Sequence, residues 1–92
     1  PNPATDRIQL YPISPNPLRD IGYISFDMDA DRASLIELID VQGRVHFQQQ
    51  LEALAGYNRL PLNRAELSLS PGTYYIRLSG EGFSSVQPVL FE

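Results

Sequence analysis

Three aspartates at alternate positions, Asp27, Asp29 and Asp31 in "DMDADR", are the first place to look for chemistry. Calcium takes six to eight oxygen ligands, and loops that bind it often begin this way. An EF-hand-type loop also needs glycine at its sixth position and glutamate at its twelfth. Counted from Asp27, those positions hold Arg32 and Leu38. The stretch therefore reads as a solvated acidic loop, with the three carboxylates as weak calcium candidates and no metal required. His46 is the only histidine and there are no cysteines, so the ligand set of a zinc site is missing. His46 also has no "GxSxG"-like nucleophile to activate, and it is placed on the polar side of its strand. Ser68, Ser70, Ser84 and Ser85 read as strand and turn serines. No catalytic residue, cofactor or enzymatic activity is expected.

Tyr11, Tyr23, Tyr57 and Tyr75 raise a second possibility. Outward-facing aromatics on a small β-sandwich can stack on sugar rings. The chain has no tryptophan, which such surfaces commonly use, and outward tyrosines are also ordinary cross-strand packing residues. A carbohydrate-binding or structural Ig-like accessory module of a secreted multidomain enzyme is thus the alternative reading of function.

The composition bounds what holds these residues. Ninety-two residues, 42% apolar and 20% charged, make one globular domain with a modest core. The seven basic residues are all arginine, scattered singly in a chain of net charge −4. Nucleic acid, which requires a basic surface, is not an expected partner. No apolar run approaches the roughly 18 residues of a membrane span. The lack of cysteine makes an oxidising compartment harmless. With no signal peptide and no initial methionine, the chain reads as part of a longer protein whose export signal lies upstream.

Short segments alternate apolar and polar residues in the manner of half-buried strands. They are "RIQLYPI", "GYISFDM", "SLIELIDV", "RVHFQ", "YNRLPL", "TYYIRLS" and "SVQPVLF". Seven such segments in a chain of this length predict an all-β fold, a seven-stranded antiparallel Ig-like or Greek-key β-sandwich. The third is apolar on both faces, as a strand covered on two sides would be. "QQQLEALAG" is the one helix-like stretch and is expected to be a turn or loop. The predicted core contains Ile24, Phe26, Ile36, Leu38, Val45, Phe47, Leu60, Tyr74, Ile76 and Leu78. Residues 1–15 read as a lead-in or linker with a possible first strand, and residues 16–92 as the sandwich proper.

The turns are the more specific signals. In "DVQGR", Gly43 suits the positive φ of a tight hairpin and Asp40 suits capping of its amides. In "LSPGTYY", Pro71 and Gly72 make a corner, and Tyr74 fits a tyrosine corner whose hydroxyl bonds back to the backbone near Leu69. Pro-Asn-Pro occurs twice, in "PNPATDR" and "SPNPLRD", each time as a stiff lead-in to an apolar segment. Pro88 places the last strand at a sheet edge, where Val89, Leu90 and Phe91 would be partly buried with backbone groups free for β-augmentation.

Read as an ordered set, "SPNPLRD", "LIELIDVQGRV", "LSPGTYYIRL" and the terminal "VLF" resemble the type A C-terminal sorting domain of the type IX secretion system of Bacteroidetes, across residues 12–92. Hook-capping-type Ig-like domains are its structural neighbour. The resemblance implies a signal that directs an upstream cargo across the outer membrane. It also implies an outer-membrane translocon and a sortase-like surface protease as partners, with periplasmic transit followed by secretion or attachment at the cell surface. Carried over by motif, Gly72, Tyr74, Arg77, Val89, Leu90 and Phe91 would serve translocon recognition. Pro15, Asn16, Pro17, Asp40, Gly43, Arg44 and Pro71 would be structural. Where the family often places a lysine or arginine near its end, this chain reads Gln87, Pro88 and Glu92.

Overall fold

A computed structural model describes residues 8–92, and the first Pro-Asn-Pro copy lies outside the described residues. All seven expected strands are present: β1 (Gln9–Leu10), β2 (Ile21–Met28), β3 (Arg32–Asp40), β4 (Val45–Ala53), β5 (Gly56–Asn63), β6 (Gly72–Gly80) and β7 (Phe83–Phe91). They form two antiparallel sheets, one ordered β1-β2-β5 and the other β4-β3-β6-β7. A single helical turn, α1 (Arg64–Leu67), follows β5; the Asn63 side chain caps it by accepting from the Ala65 N–H at 3.0 Å.

The period-two pattern decides which side chains go between the sheets. Ile24, Phe26 and Met28 of β2 meet Ile36 and Leu38 of β3 and Ile76 and Leu78 of β6, all buried. Burying such side chains is worth about 1.5–3 kcal/mol each, which makes this the principal stabilising layer. The core also takes Leu10, Ile13, Leu18, Ala53, Leu62, Val89 and Phe91. Leu10 and Ile13 belong to the stretch read from sequence as lead-in, and both are packed into the sandwich.

Three expectations need correction. "QQQLEALAG" is not a loop: Gln48–Ala53 complete β4, paired in register with β3 from Arg32 against Ala53 to Leu38 against Phe47. Tertiary pairing overrides the weak helical pattern, because only Ala53 and, in part, Leu51 have a core to enter. Val45 is 45% exposed rather than buried. A register shift between Leu38 and Ile39 inserts an extra residue at His46, so Val45 falls opposite Ile39 on the outer face. A β-bulge of this kind re-aims the side chain it carries. His46 accordingly turns towards Asp40 and Tyr74. Finally, β3 is covered on one side only, and Leu35 and Ile39 are half-buried on an open face.

Candidate functional site

One end of the sandwich gathers the sequence motifs. At the β3–β4 turn, Gly43 has φ +86° and its N–H donates to the Asp40 carbonyl at 3.0 Å. The Asp40 carboxylate accepts from the Gln42 N–H (2.9 Å), the Arg44 N–H (3.0 Å) and the Arg44 Nε–H (2.8 Å). His46 Nε2 lies 2.8 Å from its second oxygen. These contacts, the His46 hydrogen bond foremost, hold the Asp40 carboxyl well below the usual carboxylate range, although burial opposes them. Across the cleft the Tyr74 hydroxyl donates to the Ser70 carbonyl at 2.8 Å. This is the tyrosine corner, one residue from the expected acceptor. The His46 ring meets Tyr74 edge-on at 5.8 Å. The cleft between them, about 550 Å³, is lined by Asp40, Arg44, His46, Pro71, Gly72 and Tyr74 among others. Its polar groups are spent on one another, which suits a rigid corner rather than a reaction centre.

Tyr74 leads to the C-terminal strand. Its ring lies 4.8 Å from that of Phe91, and the Arg64 guanidinium sits 4.9 Å over the Phe91 ring. Val89 and Phe91 are fully buried. β7 is an edge strand, as Pro88 requires, yet its backbone at Leu90 is not free. The Leu90 N–H donates to Asn16 Oδ1 at 3.0 Å, and the Leu90 carbonyl accepts from the Leu18 N–H at 2.7 Å. The Glu92 N–H donates to the Leu18 carbonyl at 3.0 Å. The expected bare edge at Val89–Phe91 is therefore corrected: "SPNPL" occupies it.

That segment crosses from sheet to sheet. Ser14 bridges Tyr23 of β2, and Leu18 bridges Phe91 of β7. Pro15, Asn16 and Pro17 are the exposed span between them. A Cβ at Gly22 would lie 2.7 Å from Leu18 Cδ1 and 3.2 Å from the Ser14 carbonyl oxygen, so glycine is what lets the span lie close on β2.

The registers of β3, β6 and β7 define a surface that no single motif announces. On the outer face of the four-stranded sheet, Val45, Ile39, Tyr75 and Pro88 form one row across all its strands. The next row holds Gln48, Glu37, Arg77 and Val86, and Leu90 lies opposite Thr73. Val45, Val86 (49% exposed) and Leu90 (41%) stand open to solvent. Within this face Glu37 is only 7% exposed, and Arg77 donates to its Oε1 from Nε (2.9 Å) and Nη2 (2.8 Å). The face thus carries apolar side chains around an ion pair that neutralises itself. Of the residues assigned to recognition, Gly72, Arg77 and Leu90 reach the surface, whereas Tyr74, Val89 and Phe91 lie beneath it. The apolar pattern on both faces of "SLIELIDV" was the signal for this surface.

The remaining candidates do not converge. Asp27 accepts from the Tyr11 hydroxyl, Asp29 pairs with Arg32 through two contacts of 2.7 and 2.8 Å, and Asp31 accepts from the Ala55 N–H at 2.8 Å. The Arg32 guanidinium holds the Asp29 carboxyl below its ordinary range, while the hydrogen bond to Asp27 raises the Tyr11 phenol. Among the described residues, no group of three or more His, Asp or Glu side chains comes together as a metal site. Tyr23 and Tyr57 belong to the three-stranded sheet, with Tyr11 just past β1, and Arg59 covers the Tyr23 ring at 3.6 Å. Tyr75 is on the other sheet, so the four tyrosines make no common platform. No helix among the described residues is long and apolar enough to cross a membrane.

A small sandwich whose motifs are spent on corners and on holding its last strand is a structural or recognition module. The profile of the family described as "Secretion system C-terminal sorting domain" matches residues 9–92, and the chain belongs to that family. It is a sorting-signal domain of type IX secretion, which implies interaction with that machinery, attachment to a cargo, and delivery to the cell surface or beyond. Among curated proteins, none matches the chain.

Proposed function

We propose that the outer-membrane translocon reads the folded domain on the outer face of the β4-β3-β6-β7 sheet, at its β6–β7 side. The observation that carries this reading is the division of the C-terminal residues: Leu90 and Val86 stand exposed on that face while Val89 and Phe91 anchor the strand below. Apolar side chains around a neutralised ion pair are the usual makings of a protein-binding patch. Gly72, Arg77 and Leu90 then contact the translocon, and Tyr74, Val89 and Phe91 hold them in place. The cargo joined upstream crosses the periplasm, passes the outer membrane and meets a sortase-like protease at the surface. The domain itself takes no part in catalysis.

The test is a reporter fused ahead of the domain in a host with the secretion system. Leu90→Asp combined with Val86→Asp should leave the melting temperature nearly unchanged, because both side chains are exposed, and should abolish surface delivery. Tyr57→Asp, on the opposite sheet, should deliver normally. Normal delivery from the Leu90/Val86 double variant would reject this face as the recognition surface.

A further inference from the structure

Two stacked sheets have four edges, and an edge left bare is a template for another strand. Three of the four are blunted here. β1 is only two residues long. β5 carries Pro61, which has no N–H to offer. β7 carries Pro88, and Leu90 has already given its N–H to Asn16 and its carbonyl to Leu18. β4 has none of these devices. It runs nine residues with no proline, no lysine and a single formal charge, Glu52, and among the described residues it pairs only with β3. Its bulge is confined to the Val45–Phe47 end, so Phe47–Ala53 is regular strand.

The geometry points to this edge as an interface with a second copy of the chain, β4 against β4, antiparallel about a twofold axis through Gln49. An isologous contact of this kind requires a self-complementary surface, and the strand supplies one. Centring the pair on Gln49 sets Gln48 opposite Gln50 of the partner subunit and Phe47 opposite Leu51 of the partner subunit. Cross-strand pairs that match in this way stabilise antiparallel sheets. The strand's one carboxylate, Glu52, falls opposite the partner's bulged end and not opposite its own mate, so the edges approach without like-charge contact although each chain carries −4. Phe47 also lines a notch with Leu60, Leu62 and Leu67, rimmed by Gln49, Asn63 and Glu66, between the edges of the two sheets, and Leu51 of the partner subunit would cover its leucines. The pairing lies in the plane of the sheet and leaves Ile39, Tyr75 and Leu90 uncovered. It therefore stands or falls separately from the recognition face.

The 92-residue chain, sedimented over a concentration series, should form a dimer whose slowed amide exchange is confined to Val45–Ala53. Gln48→Lys with Gln50→Lys, and Gln48→Glu with Gln50→Glu, should each yield monomers that melt like the parent at dilutions where the parent is also monomeric, because both positions are exposed. Mixing the two doubly substituted chains should restore a dimer, since Lys then opposes Glu. The chain contains no cysteine, so Gln49→Cys reports the axis. Residues directly opposed across an antiparallel pair have Cα atoms about 4.5–5.5 Å apart, within reach of a disulfide. Oxidation should therefore cross-link Gln49→Cys much faster than Glu52→Cys. A parent chain that remains monomeric at about 0.5 mM overturns the proposal. So does a dimer that survives the double lysine substitution, or one whose exchange protection falls on β7 or the outer face, which would mean a different interface.

Discussion

The Leu18 N–H donates to the Leu90 carbonyl at 2.7 Å, and the Glu92 N–H returns a bond to the Leu18 carbonyl at 3.0 Å. The chain's entry is thereby bound, in parallel, to its last strand. Leu18 is fully buried, so these bonds are anchored by packing on one side and by the Ser14–Tyr23 bridge on the other. Pro-Asn-Pro is the span that makes the crossing, and its asparagine adds a third bond by capping the Leu90 N–H.

Asn16→Ala removes that cap without disturbing the core. A neutral hydrogen bond is worth about 0.5–1.5 kcal/mol net, and this one is exposed, so the loss should fall near the lower end of that range. The urea midpoint should drop with the slope of the transition unchanged. A variant as stable as the parent would show that the Asn16 side chain does nothing for the last strand.

Much of this fold is legible in the sequence, because period-two patterning and turn chemistry are local. Asp40 and Gly43 announce the hairpin, Tyr74 the corner, and Pro88 the edge, and each is found in its expected role. What escapes notice depends on pairing across the chain. Gln48–Gln50 show no alternation at all, and only their register against Glu37–Leu35 makes them a strand. The bulge at His46 has no residue signature, so Val45 could not be placed. The clasp between Leu18 and Leu90 joins the two ends of the domain, and the prolines say only that the segment is stiff. The outer face was half visible, in Leu35 and Ile39, but its extension through Tyr75 to Pro88 and Leu90 needed the registers of β6 and β7.

Acid should weaken the domain through Asp40. Its carboxyl is held below the usual range in the fold by His46, Arg44 and the turn amides, and it rises to about 3.9 when the chain unfolds. A depressed folded-state pKa stabilises above the unfolded value and is lost as pH falls towards the folded one. The parent should therefore lose stability progressively below about pH 5. Asp40→Asn should be less stable at neutral pH and show a shallower decline on acidification. Parallel curves for the two proteins in urea titrations across this range would remove Asp40 as a source of the acid sensitivity.

The corner tyrosine and its neighbour should separate fold from surface. Tyr74→Phe keeps the ring against Phe91 and deletes only the hydroxyl that meets Ser70. It leaves a backbone carbonyl without its partner, at a cost of about 1–2 kcal/mol. Tyr75→Phe deletes a hydroxyl on the open outer face and should be close to neutral in thermal unfolding. Equal effects at the two positions would mean that the Tyr74–Ser70 bond does not brace the β5–β6 corner.

Deleting Val89–Glu92 looks at first like a clean way to remove a signal from an intact domain, since an edge strand is expected to be only partly buried. The structure predicts otherwise. Val89 and Phe91 are among the most buried side chains in the core. Phe91 alone carries contacts to Tyr74 and Arg64, and large-to-small changes of a buried phenylalanine cost about 3–5 kcal/mol. Loss of Val89 adds about 1.5–3 kcal/mol, and the bonds to Leu18 and Asn16 go with them. A domain of this size has about 5–15 kcal/mol in all. The truncated chain should accordingly lack a cooperative thermal transition and lose near-ultraviolet circular dichroism, and failed export from it would report unfolding rather than a missing contact. Leu90→Asp, which leaves both anchors in place, should melt within a few degrees of the parent. A truncated chain that still melts cooperatively near the parent's temperature would show that the last strand is dispensable to the fold, and would overturn the division of labour between Leu90 and its buried neighbours.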